Sequence, residues 1–126
     1  MTARPPSGTV TFLFTSIPDA LRRWDEAPAE MAAAQRVHDA IVREAIEGHG
    51  GHVFGTDADG FCAAFATAAS AAEAAVEAQR RLRAEATIGF AVRMALHTGE
   101  TSERDGSYSG SEVNRAARLM ALAHGG

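Results

Sequence analysis

The chain has 126 residues, 46% of them hydrophobic, with 12 basic and 16 acidic side chains and a net charge of −4. That length builds one compact domain and is short for two. Scattered basic residues on an acidic chain exclude the electrostatic footprint of a nucleic-acid binder, and no apolar run approaches the roughly 18 residues that span a bilayer.

Residues 1–10, MTARPPSGTV, have no apolar core followed by a small-residue cleavage site, so a cytoplasmic protein with neither a membrane nor a nucleic-acid partner is expected. A single cysteine, Cys62, rules out an internal disulfide, and its apolar surroundings suit a structural residue. All 12 basic residues are arginine, which removes lysine-dependent chemistry.

Residues 1–8 read as a lead. VTFLFTSI (10–17) is apolar on both faces at its start, the pattern of a central strand. Pro18 and Asp19 open a helical stretch, and Pro28 suits the first position of a second helix. Met31, Ala34, Val37, Ile41 and Ala45 recur at helical spacing, and Gly48, Gly50 and Gly51 supply positive-φ positions for its end.

HVFGT and GFCAAF predict a hairpin around Asp57-Ala58-Asp59-Gly60. An alanine-rich helix follows from about Thr67, with Ala72, Ala75, Val76, Gln79 and Leu82 along one side. FAVRMALHTG (90–99) alternates as a strand, and the next segment turns at Asp105-Gly106 into another. SEVNRAARLMALAHGG closes as a helix with Ser111 as N-cap and Gly125 just past its end. The order predicts an α+β fold: a ferredoxin-like βαββαβ core, an antiparallel sheet with helices on one face.

Asn114 and Arg118 are four apart and share one face of that last helix. Polar residues so spaced also suit a solvated face. Together with GTVTFLFTSI, HGGHVFGTDADGFCAAF and VRMALHTGE, the segment YSGSEVNRAARLMALA resembles the catalytic domain of class III adenylate and guanylate cyclases, collinearly from about Gly8 to Gly126. The resemblance makes residues 9–126 a cyclase homology domain. It also implies head-to-tail dimers whose sites span the interface, with Mg²⁺ or Mn²⁺ as cofactor and ATP or another nucleoside triphosphate as ligand. The chain ends where the family continues into further strands, as a C-terminally short domain or as a fragment of a longer protein.

Transferred by this resemblance, Asn114 is the ribose-orienting asparagine and Arg118 the transition-state arginine, the two catalytic residues. Asp59 is the second metal aspartate. The first metal position carries Ser16, whose neutral hydroxyl is a poor Mg²⁺ ligand. The two purine-reading positions carry Gly55 and Ser107, and Ile17 joins the nucleotide-binding set. Pro18 to Leu21 replace the glycine-rich phosphate stretch, so that Asp19 places a negative charge there. Asp57 is either a turn residue or a substitute ligand. His97 is expected to be structural, and Trp24 to anchor the first helix to the sheet or to a partner.

These losses imply a pseudo-cyclase with little or no activity as a homodimer, acting by dimerisation or regulation, including heterodimerisation with another cyclase domain. The alternative is a divergent active adenylate cyclase that forms cyclic AMP by two-metal catalysis at a dimer interface. A third reading is a small-molecule sensor that kept the groove and changed its ligand.

Overall fold

The structure, a computed structural model, describes Pro6 and residues 8–56 and 60–101, with residues 101, 103–104 and 107–108 described by backbone alone. Asp57, Asp59, the Asp105-Gly106 turn and the whole expected last helix, with Ser111, Asn114, Arg118 and Gly125, lie outside the described residues.

The elements are β1 (Gly8–Ser16), α1 (Ala20–Glu26), α2 (Pro28–Gly48), β2 (His52–Thr56), β3 (Phe61–Phe65), α3 (Ala68–Ala84), β4 (Arg93–Thr101), β5 (Glu103–Arg104) and β6 (Ser107–Tyr108). The main sheet runs β2-β3-β1-β4 with every pair antiparallel, and β5 and β6 form a separate ribbon. This is the α+β arrangement expected of a βαββαβ core, in which the α2 crossover places β2 one strand away from β1.

β1 is central and buried on both faces because both faces are apolar. Leu13 meets Ile41, Val42 and Ile46 of α2 and Ala71 and Ala74 of α3, together with Phe61 and Phe65. The alternate residues Val10, Phe12 and Phe14 form a second cluster with Ala64, Phe54 and Cys62. The rings of Phe12, Phe14 and Phe54 meet edge-on, with centroids 5.9 to 6.5 Å apart. Half-buried Cys62 packs in that cluster as a small hydrophobe.

α2 begins with Pro28 as its first residue and ends beside Gly50, which adopts φ 78°; Gly48 is still helical, and Gly51 has no positive φ. A side chain at Gly51 would run into the Phe65 ring, with a Cβ only 2.6 Å from it. α3 is capped by Thr67, whose hydroxyl accepts from the Ser70 amide at 3.1 Å. Arg81 reaches Glu44 at 3.0 Å and His49 reaches Glu77 at 3.1 Å, tying α3 to the end of α2.

Two further expectations are corrected. α3 buries Ala71, Ala74, Ala78 and, as expected, Leu82; of the rest of the expected stripe, Ala72 and Val76 are exposed and Ala75 and Gln79 half-buried, about one position out of register. With alanine on every side, hydrophobicity does not specify which face turns inward. β4 starts at Arg93, three residues later than expected, because Val92 is buried and Phe90 half-buried in the loop before the strand. Gln79 holds that loop by donating to the Val92 carbonyl at 2.9 Å. Among the described residues, no helix is long and apolar enough to cross a membrane.

Candidate functional site

Of the site positions that can be placed, Ser16 and Gly55 share one end and one face of the sheet. Ser16 ends β1, half-buried and opposite Arg93 in the ladder. Side chains alternate along a strand, so Ser16 lies on the same face as Val10, Phe12 and Phe14, the face away from α2 and α3. Gly55 pairs with Cys62, which belongs to that face as well. A register shift between Val53 and Gly55 adds a β-bulge, allowing the consecutive residues Phe54 and Gly55 to lie toward the same side. The position to which the resemblance assigns purine reading, here a glycine, is therefore next to the aromatic cluster. Among the described residues, a Cβ at Gly55 would meet only Cys62, at 3.7 Å or beyond, which is ordinary contact.

The hairpin between β2 and β3 is locked to the end of β1 by close backbone approach. A Cβ on Gly60 would stand 2.0 Å from the Thr15 carbonyl oxygen, so only glycine fits. The next amide, that of Phe61, donates to the Thr15 hydroxyl at 2.9 Å in a buried hydrogen bond. The residue after Asp59 thus touches the residue before Ser16, bringing together the two segments to which the resemblance assigns the metal carboxylates. Thr15→Val is expected to leave the buried Phe61 amide without a partner and to cost about 1–3 kcal/mol, measured by urea unfolding.

The turn that follows is built without glycine. Asp19 takes φ 56° and ψ 35°, a left-handed conformation that favours glycine, asparagine and aspartate. Its side chain makes no cap hydrogen bond and instead pairs with Arg22 at 3.1 Å, both groups being exposed. Ile17 is 2% exposed and packs with Ala20 and Met31, so its side chain belongs to the core and only its backbone faces the turn. Trp24 and Phe90 close over that cluster, which makes Trp24 an anchor between α1 and α2 within the chain. Ser107 lies in β6 opposite Arg104. His97 lies in β4 opposite Phe12, half-buried.

Of the two positions that the resemblance assigns to metal carboxylates, the first lies within the described residues and does not fit that role. The first position offers a neutral hydroxyl on Ser16, and among the described residues no group of three or more His, Cys, Asp or Glu side chains could hold a metal ion.

No family model matches the chain. An adenylate cyclase of Trypanosoma brucei in its monomeric state superimposes with a TM-score of 0.83 at 23% identity, covering 98% of this chain and 73% of that one. The adenylate cyclase of Neurospora crassa is 30% identical over 150 residues, covering 97% of this chain. The chain is a class III nucleotidyl cyclase homology domain. An uncharacterized protein of Mycobacterium tuberculosis is 43% identical to this cyclase homology domain over 124 residues, covering 97% of it. The domain spans 42% of the length of that mycobacterial relative and 6% of the fungal cyclase.

Proposed function

We propose that this domain is a pseudo-cyclase: a partner for another cyclase domain, with little or no nucleotidyl cyclase activity as a homodimer. The observation that carries the reading is Ser16 at the end of β1, locked beside the hairpin that bears Asp59. Where an in-line phosphoryl displacement needs two metal-holding carboxylates, one position has only a hydroxyl. Gly55 offers no group to read a purine, and the Asp19 carboxylate opposes a triphosphate at the turn.

Asn114 and Arg118 remain as the groups this domain contributes. In a heterodimer they would orient the ribose and meet charge on the α-phosphate in a site whose metal ligands and purine reader belong to the partner. The domain would thereby complete one site of two. A proposed home in cyclic-nucleotide signalling in the cytoplasm follows from this reading.

The test is complementation. An intact cyclase domain, disabled at its own asparagine and arginine of the last helix, is mixed with this chain and supplied with ATP and Mn²⁺. Cyclic AMP is expected to appear with the parent chain and to fall by about a hundredfold or more with Arg118→Ala. Equal product from the parent and Arg118→Ala chains would remove the heterodimer reading.

A further inference from the structure

His38 is the one histidine fully buried among the described residues, at 0% exposure. It stands on α2 one turn after Ala34, within the apolar face of that helix. Its Nδ1 lies 2.8 Å from Asp39 Oδ1, while its Nε2 has no hydrogen-bond partner among the described residues. A buried polar nitrogen left without a partner is unfavourable, and a leucine at the same place would carry no such cost.

Two aromatic rings flank the imidazole, and each leads to one half of the candidate site. Phe61 lies 6.1 Å away between ring centroids, and its amide is the one held by the Thr15 hydroxyl. The Arg43 guanidinium sits 5.3 Å from the same Phe61 ring. Phe90 lies 6.4 Å away on the other arm, with the Arg23 guanidinium 5.1 Å from its ring. Arg23 Nε in turn donates to the Pro18 carbonyl at 3.0 Å. One arm ends at the hairpin beside position 59 and the other at the turn after Ser16.

We propose that His38 is a positioning residue, oriented by Asp39, that braces the hairpin against the β1–α1 turn through Phe61 on one side and Phe90 and Arg23 on the other. The Asp39 hydrogen bond fixes the rotation of the imidazole, and that rotation sets both aromatic contacts at once. The assignment rests on the reading that positions 16 and 59 face one groove. His38 itself touches neither segment's site atoms and acts only through its neighbours.

Asp39 is the safe place to test this, because its side chain is 48% exposed and its replacement leaves the core intact. Asp39→Ala removes the acceptor, whereas Asp39→Asn keeps an oxygen at the same place. In the 126-residue chain, amide hydrogen exchange at Phe61 and Arg23 is expected to quicken about fivefold in Asp39→Ala and to stay at the parent rate in Asp39→Asn. Arg23→Gln is expected to quicken exchange at Arg23 alone.

The same pair is then placed in a variant carrying Ser16→Asp, Gly55→Lys and Ser107→Asp, with ATP and Mn²⁺. Product formation is expected to fall about tenfold with Asp39→Ala and to be retained with Asp39→Asn. Unchanged exchange at both amides in Asp39→Ala, or equal product from the Asp39→Ala and Asp39→Asn forms of a variant that does turn over ATP, overturns the proposal. If the variant makes no product while exchange responds as stated, the brace stands and the reading of the groove fails.

Discussion

Gly60→Ala is expected to lower the stability of the domain by about 3 kcal/mol and its melting temperature by roughly 10 °C or more. The added methyl would stand 2.0 Å from the Thr15 carbonyl oxygen and 2.6 Å from its carbon. Both are backbone atoms of the central strand, so no side-chain rotation relieves the clash. Either the hairpin withdraws and the Phe61–Thr15 hydrogen bond breaks, or β1 shifts and its pairing with β4 is disturbed. Thermal unfolding followed by circular dichroism measures the loss. A change of less than about 0.5 kcal/mol, the range of an ordinary surface substitution, would show that the hairpin does not lean on β1.

Introducing the groups that the resemblance assigns to these positions is the second large effect. A variant carrying Ser16→Asp, Gly55→Lys and Ser107→Asp is expected to form cyclic AMP from ATP and Mn²⁺ at about a hundredfold or more over the parent chain. Ser16 is half-buried at the end of its strand, where one further carboxyl group has a path to solvent. Gly55 has open space for a side chain, since its Cβ would meet Cys62 only at ordinary contact distance. If the variant folds and yields no product, the reading that these positions face one groove fails.

The frame of this domain was readable because its strongest signals are physical necessities. A strand apolar on both faces has to sit between two others, as β1 does between β3 and β4. Proline at position 28 and threonine at position 67 marked helix starts that are where a missing amide hydrogen and a capping hydroxyl belong.

What stayed hidden depends on tertiary contact. Alanine on all sides of α3 left its inward face undetermined until α2 and the sheet selected Ala71, Ala74 and Ala78. Phe90 looks like a strand residue and is instead a loop residue held beneath Arg23. The bulge at Val53 and Gly55 has no sequence signal beyond the glycine itself, yet it puts Gly55 beside Phe54. His38 could have been found from its spacing, one turn from Ala34 and one from Val42, as a polar side chain in an apolar stripe.

At the site, the Thr15 contact supplied the link between two distant stretches of sequence, the end of β1 and the hairpin after β2. The same contact explains why an aspartate-glycine pair does more here than turn a hairpin. Glycine at position 60 is required by Thr15, independently of what the neighbouring carboxylate does.

The central proposal is that this domain makes little or no cyclic nucleotide by itself. The most direct measurement incubates the chain with ATP or with GTP and Mn²⁺, alongside Arg118→Ala, and quantifies cyclic product. The account predicts that parent and variant are indistinguishable and that neither exceeds the protein-free reaction. Product from the parent chain above the Arg118→Ala control would contradict it and establish a divergent active cyclase.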